Sequence, residues 1–167
     1  MELIIATDGS WNKEKKTGGW AYTIESSEGH YCEDSGYSLK TTNNRMEMNA
    51  IIQSLLFVKE NIQSKNYKID KITVNTDSAY SIRVINNMLK SDSQTQNMKN
   101  SGLINYAVEL IKSLNCQVIL NHVTGHSVDE QNNYVDRLAV QKRHEAERIY
   151  LKSRSEYYAD KNTVSYY

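Results

Sequence analysis

Four carboxylate residues could come together in the folded chain: Asp8, Glu47, Asp77 and Asp136. Asp8 and Asp77 each follow a short apolar run, "ELIIAT" and "KITVNT", so each is predicted to stand at the carboxyl end of a strand. Neighbouring strands can bring two such residues together. Glu47 on the first turn of a predicted helix and Asp136 on a helix face could complete the cluster.

A cluster of this kind has a specific chemistry. Close carboxylates repel one another strongly unless cations neutralise them. Hard cations such as Mg²⁺ prefer oxygen ligands and commonly keep waters and substrate phosphate oxygens in their coordination shell. Two such ions about 4 Å apart can activate a water and stabilise the leaving oxygen of a phosphodiester. The joint interpretation is therefore a divalent-metal site for phosphodiester hydrolysis.

Three of these carboxylates also have a structural explanation when each is taken alone. Asp8 precedes a glycine and fits an Asx turn. Asp77 fits the N-cap of a helix, because Asp is among the best capping residues. Glu47 lies three residues after Asn44, which is the spacing of a capping box. The sequence leaves these alternatives open.

Asp136 is harder to explain as a structural residue. It lies in "YVDRLAV", inside a predicted helix, and Asp is a poor residue for a helix interior. The helix already has a start signal at Ser127 with Glu130, so Asp136 is not needed as a cap. A functional role is therefore favoured.

The elements that position these residues alternate between strand and helix patterns. The strands are "ELIIATD", "WAYTIES", "YCEDSGYSL", "KITVNTD" and "CQVILNHV". Helical spacing predicts helices over about 44–63, 78–89, 103–114 and 129–152. The order βββαβααβα predicts an α/β fold, a five-stranded mixed sheet flanked by helices.

Composition narrows the class of protein. The 167 residues suit one domain, predicted over 1–152, with 153–167 as a tail of unassigned role. No apolar run reaches the roughly 18 residues of a membrane span, and the N-terminus lacks the basic start of a secretory signal. Cys32 and Cys116 lack metal-pair spacing and fit free thiols in a reducing cytoplasm. With 20 basic and 20 acidic residues, nucleic-acid binding would need a local basic patch.

Four segments in order, "TDGSW", "TTNNRMEM", "NTDSAY" and "VTGHSVDEQNNYVDRLA", together resemble the catalytic segments of type 1 ribonuclease H. The resemblance covers about residues 1–140 and implies the RNase H-like fold. It implies endonucleolytic cleavage of the RNA strand of an RNA·DNA hybrid, leaving 3′-hydroxyl and 5′-phosphate ends. Two Mg²⁺ ions are implied as cofactors, with Mn²⁺ as a substitute.

The resemblance also assigns roles to individual residues. Asp8, Glu47, Asp77 and Asp136 would be the catalytic metal ligands, with Asp8 bridging both ions. His126, in "TGHS", would assist proton transfer or product release; without the motif, a surface-loop His would explain it. The implied substrate contacts are Gly9, Ser10, Thr42 on a DNA phosphate, Asn43 and Asn44 in the minor groove, and Asn132. Helix capping is the alternative for Asn44, and an exposed polar position is the alternative for Asn132.

One departure from the family concerns substrate affinity. Many bacterial relatives carry a basic, Trp-rich protrusion where this chain has "NNMLKSDSQTQNMKNSG", with only Lys90 and Lys99. Fewer phosphate contacts predict weaker and less salt-dependent binding. Lys13, Lys15 and Lys16 are candidates for compensation, against the alternative of a solvated loop.

The sequence allows three functions. The first is a Mg²⁺-dependent, hybrid-specific endoribonuclease, cytoplasmic and monomeric, with an RNA·DNA hybrid as partner and with a larger assembly left open. The second is a DNA nuclease of the same fold, against which the "TTNNRMEM" and "TGHS" segments argue. The third is a non-catalytic hybrid-binding subunit, against which the presence of all four carboxylates argues.

Overall fold

The order of secondary structure confirms the predicted βββαβααβα arrangement. The computed structural model describes residues 1–91, 98–125 and 128–163, with side chains in the last helix described as far as Glu156. A π-helical turn, Val58–Ile62, and a 3-10 turn, Gln63–Lys65, extend the first helix. The main elements are β1 (Glu2–Trp11), β2 (Gly18–Ser26), β3 (Tyr31–Ser38), α1 (Asn43–Phe57), β4 (Lys71–Thr76), α2 (Ala79–Lys90), α3 (Ser101–Ser113), β5 (Gln117–His122) and α4 (Glu130–Thr163).

The five strands form one mixed sheet, as predicted, and their order across the sheet is β3-β2-β1-β4-β5. The β1–β2 and β2–β3 pairs are antiparallel, whereas the β1–β4 and β4–β5 pairs are parallel. β1 is therefore the central strand and the point where the sheet changes from antiparallel to parallel pairing.

β1 is longer than the sequence indicated, and the prediction that it ends at Asp8 was wrong. Its parallel pairing with β4 covers Glu2 to Ala6 only. Its antiparallel pairing with β2 continues as far as Trp11 opposite Gly18. The hairpin partner thus keeps the chain extended after the parallel partner has ended. Asp8 lies on this extension, beside the end of β4.

Alternate residues of β1 face two different layers, as the two-residue period of a strand requires. Leu3 and Ile5 belong to the main core with α1, α2 and α3. Ala6, on the other face, packs with Val135 and Ala139 of α4. Because the side chains on the α4 face are small, this helix lies close to the sheet.

Gly19 of β2 shows how close that approach is. A Cβ atom added to Gly19 would lie 2.2 Å from the carbonyl oxygen of Ala139 and 2.6 Å from the backbone nitrogen of Arg143. Real Cβ contacts this short do not occur, so α4 can occupy its position only over a glycine. The contact fixes where α4 crosses the sheet.

α4 continues well beyond the predicted end near Lys152. It begins at Glu130, where Asp129 Oδ1 accepts hydrogen bonds from the backbone N–H groups of Gln131 and Asn132 at 3.0 and 3.4 Å. It runs for 34 residues to Thr163 and so includes most of the predicted tail. The tail showed no apolar period because residues 151–156 are exposed, but it contains no Gly or Pro to end the helix.

No helix in the described ranges is both long enough and apolar enough to cross a lipid bilayer.

Gly19→Ala should lower the free energy of unfolding by about 1–3 kcal/mol, because backbone atoms of α4 would have to move. Gly102→Ala is the matched control, since a Cβ there meets no atom within 4 Å. At that helical position alanine should be neutral or stabilising by about 0.4–1 kcal/mol. Urea unfolding of both variants measures the difference; equal stabilities would contradict the close-packing explanation.

Candidate active site

Three of the predicted carboxylates meet at one point of the fold. Asp8, Glu47 and Asp77 each offer a carboxylate oxygen, and these atoms all lie within 4.8 Å of one another. They come from β1, from α1 and from the position directly after β4. Asp136 of α4 lies close enough that its negative charge helps to raise the pKa of Asp8. All four line a cavity of about 100 Å³, together with Gly9, Asn132 and Asn133.

Gly9 allows β1 to approach α1 closely enough to form this cluster. A Cβ at Gly9 would lie 2.5 Å from the backbone nitrogen of Glu47 and 2.7 Å from the carbonyl carbon of Met46. The Gly9 N–H also donates to Asp8 Oδ1 at 2.9 Å and so helps fix the orientation of that carboxylate. The glycine therefore brings together the ligands of two separate elements.

Helix capping does not explain Glu47. The N-cap of α1 is Thr42, whose hydroxyl accepts from the N–H of Arg45 at 3.3 Å. The alternative of Asn44 as the cap, with Glu47 completing a capping box, is therefore wrong. Glu47 lies just after the first turn rather than on it, and its side chain is directed into the cluster.

Capping does not explain Asp77 either. The N-cap of α2 is Ser78, whose hydroxyl accepts from the N–H of Ser81 at 3.2 Å. Asp77 precedes this cap and lines the cavity with the other carboxylates.

The cluster is buried, and burial changes its protonation. Asp8 and Glu47 are each 6% exposed. Burial, with the neighbouring charge of Asp77 as the next cause, raises the pKa of Asp8 to about 8. Burial and the charge of Asp8 hold the pKa of Glu47 well above its ordinary value. Both shifts have the same origin: the charged forms are poorly solvated and repel one another.

This donor set fits a divalent cation. Glu47 Oε2 is buried and has no hydrogen-bond partner in the described structure. Among the residues that the structure describes, no Lys, Arg or His lines the cavity to neutralise the carboxylates. Closely spaced carboxylate oxygens are the ligands that Mg²⁺ prefers, so a bound cation would relieve both the repulsion and the missing contact.

Two of the predicted substrate residues, Gly9 and Asn132, line the cavity, and the others lie on the elements that carry Asp8 and Glu47. Gly9 and Ser10 follow Asp8 on β1, and the Ser10 hydroxyl accepts from Arg143 Nη1 at 3.0 Å. Thr42 caps α1, while Asn43 is exposed and Asn44 is half-buried on its first turn. Asn132 is only 5% exposed and lines the cavity, so an exposed polar position is the wrong explanation for it. His126 lies outside the described residues.

Three neighbours of the site were not identified from the sequence. Asn133 lines the cavity beside Asn132. Gly125 lies against Asp77, because a Cβ there would be 3.1 Å from Asp77 Oδ2. Arg143 donates a hydrogen bond to the Ser10 hydroxyl and forms an ion pair with Glu147, with 3.3 Å between Arg143 Nε and Glu147 Oε1. Arg143 follows Asp136 by two helical turns, and this spacing was the signal available for it.

Comparison of the sequence with known proteins identifies the family of this chain. The RNase H family model matches residues 1–144. A protein named ribonuclease H from Caldicellulosiruptor saccharolyticus is 37% identical over 147 residues, covering 83% of this chain and 93% of the relative. A second one, from Treponema denticola, is 35% identical over 156 residues, covering 84% and 96%.

A solved structure shows the same fold. LC11-RNase H1 in complex with RNA/DNA hybrid superposes with a TM-score of 0.68 at 19% identity, covering 86% of this chain and 98% of that one. The resemblance seen in the four sequence segments is confirmed, and the chain belongs to the RNase H family.

Proposed function

We propose that this chain is a Mg²⁺-dependent endonuclease that hydrolyses the RNA strand of RNA·DNA hybrids. The observation that carries the proposal is the cluster of buried Asp8 and Glu47 with half-buried Asp77, whose ligand atoms lie within 4.8 Å of one another, in a chain of the RNase H family. The relatives named ribonuclease H, and the hybrid in the LC11-RNase H1 complex, support the choice of substrate.

Asp8, Glu47, Asp77 and Asp136 would hold two Mg²⁺ ions, with Mn²⁺ as a substitute. When bound, such ions supply an activated water and stabilise the leaving oxygen of the phosphodiester. In our proposal the products carry 3′-hydroxyl and 5′-phosphate ends.

The protein's own contribution is to hold the ligands and to exclude water around them. The Gly9 N–H orients Asp8, and no donor among the described residues bonds to Glu47 Oε2. Asn132 adds a polar amide to the cavity without adding another negative charge. Because electrostatic interactions strengthen as water is excluded, this buried arrangement favours tight metal binding. His126 is proposed to assist proton transfer or product release.

Recognition of RNA is proposed for the start of α1 and the end of β1. Asn43 and Asn44 carry amide groups that can donate to and accept from the 2′-hydroxyl, which distinguishes RNA from DNA in the minor groove. Thr42 is proposed to contact a DNA phosphate. Gly9 and Ser10 are proposed to approach the RNA through their backbones. The cytoplasmic location and the monomeric state stay predictions from the sequence.

The function is tested by incubating the protein with matched RNA·DNA, RNA·RNA and DNA·DNA duplexes, each strand end-labelled, in Mg²⁺ or in EDTA. We expect Mg²⁺-dependent cuts confined to the RNA of the hybrid. Asp77→Asn should keep hybrid binding but abolish cleavage, because a neutral amide cannot replace a metal-binding carboxylate. Asp34→Asn, an exposed change on β3, is the matched control and should cleave normally.

Each other outcome of this experiment has a definite meaning. Cuts in DNA would make the chain a DNA nuclease of the same fold. Hybrid binding without any cutting would make it a non-catalytic hybrid-binding subunit. Full turnover by Asp77→Asn would remove Asp77 from the proposed metal site.

Asp8→Asn should raise the free energy of unfolding of the metal-free protein by about 1 kcal/mol or more, one pKa unit corresponding to about 1.4 kcal/mol. The reason is that the amide removes a buried repulsive charge while it can still accept from the Gly9 N–H. At a concentration one hundred times its Kd, Mg²⁺ should raise the free energy of unfolding of the unaltered protein by about 2.7 kcal/mol. The same Mg²⁺ concentration should stabilise the Asp8→Asn variant much less.

Urea unfolding with and without Mg²⁺ measures both effects, with Asp34→Asn as the control. An Asp8→Asn variant that is less stable without metal, or equally stabilised by Mg²⁺, would contradict the assignment of Asp8 as a metal ligand.

Asn43→Ala with Asn44→Ala should reduce the preference for the RNA strand without lowering stability. Thr42 remains as the helix cap, and alanine has the higher helix propensity. Cleavage rates on the hybrid, compared with hybrids carrying 2′-deoxy substitutions around the cut, measure the preference. Arg45→Ala, on the same exposed turn, is the control. Unchanged discrimination would refute the groove-reading role.

A further inference from the structure

The loop between β1 and β2 concentrates positive charge in a chain with none overall. The whole sequence has 20 basic and 20 acidic residues, whereas residues 12–17 contain three Lys and a single Glu. We call residues 12–17 the lysine turn; its lysines are Lys13, Lys15 and Lys16. Lys13 and Lys16 are exposed, and neither forms an ion pair with a carboxylate in the described part of the chain.

The lysine turn is an ordered structure rather than a loosely solvated loop. Asn12 Oδ1 accepts from the backbone N–H groups of Glu14 and Lys15 at 3.0 and 3.1 Å. The N–H of Lys16 donates to the Asn12 carbonyl at 2.8 Å, and Lys16 has a left-handed backbone with φ of 60°. Because its backbone is already fixed, the turn would lose little conformational entropy on binding a ligand.

Tertiary contacts join this turn to the start of α1 and to α4. On one side, the Thr41 N–H donates to the Lys16 carbonyl at 2.7 Å, directly before the start of α1. On the other side, Asn12 Nδ2 donates to Glu147 Oε1 of α4 at 2.9 Å. β1 leads into the turn directly from Ser10 through Trp11, whose indole N–H donates to the Thr41 carbonyl at 3.0 Å.

We propose that the lysine turn binds backbone phosphates of the nucleic-acid duplex held at the carboxylate cluster. The inference rests on the proposed function, which puts one strand at Gly9 and Ser10 and the other at Thr42. The turn begins two residues after Ser10, and its Lys16 carbonyl accepts from the N–H of Thr41, next to Thr42. A duplex in contact with both positions therefore passes close to the turn. Lys13 and Lys16 offer the flexible ammonium groups that neutralise phosphates in sequence-independent binding.

The test is a binding titration of Lys13→Gln with Lys16→Gln, in EDTA to prevent cleavage, against labelled RNA·DNA and DNA·DNA duplexes at several salt concentrations. Each phosphate contact contributes about 0.9 to the slope of log K against log salt, so the slope should become shallower by about 2. Affinity should fall about tenfold near 0.1 M salt for both duplexes, because phosphates are common to them.

The matched control is Lys59→Gln with Lys65→Gln, which removes the same charge from exposed positions after α1. It should change neither the slope nor the affinity. A second variant, Asn12→Ala, keeps every charge but releases the turn from Glu147 and from its own backbone. It should weaken binding by a smaller factor. In cleavage assays the double lysine variant should raise KM and leave kcat within about twofold, since the carboxylates are untouched.

The outcomes separate this proposal from the function on which it rests. If the lysine variant binds both duplexes with the slope of the control, the lysine turn is not a phosphate site, whether or not the protein cleaves hybrids. If the variant loses duplex binding but the unaltered protein cuts no hybrid RNA, the phosphate-binding role of the lysine turn is supported and the proposed function is wrong. If the unaltered protein binds neither duplex, the lysine turn is not a phosphate site, and the cleavage assay in Mg²⁺ decides the proposed function separately.

Discussion

Mutual repulsion of buried carboxylates is the constraint on which the arrangement of this molecule depends. Asp8 and Glu47 are almost fully buried, and Asp77 and Asp136 lie against the same small cavity. Such a cluster opposes folding unless a cation occupies it, because unsolvated like charges destabilise one another. The surrounding scaffold therefore has to keep four elements in place at this point, including when no cation is bound.

Close backbone packing at two glycines keeps those elements in place. Gly9 brings β1 against α1, and Gly19 brings β2 against α4. The backbones pack so closely at both points that any side chain would force them apart. Rigid backbone contacts between neighbouring elements thus hold in place a charge cluster that disfavours folding.

Side-chain contacts of α4 connect the carboxylate cluster to the surface around it. Arg143 joins α4 to Ser10 on β1, and Glu147 joins α4 to Asn12 at the start of the lysine turn. α4 therefore supports, in successive turns, a carboxylate, the strand beside it and the loop that follows. This explains why a helix on the side of the sheet opposite α1 can affect both the site and the surface around it.

The sequence alone determined the order of the elements, the mixed sheet and the four carboxylates, because strand and helix periods and strongly polar residues in apolar surroundings are local signals. It did not determine the end of β1, which depends on hairpin pairing with β2, or the end of α4, which has no apolar period in its exposed part. Whether Glu47 and Asp77 were caps was open until Thr42 and Ser78 were seen to occupy those positions. The contacts at Gly9, Arg143 and Asn12 were decided only by tertiary structure, because they join residues far apart in the chain that no local pattern connects.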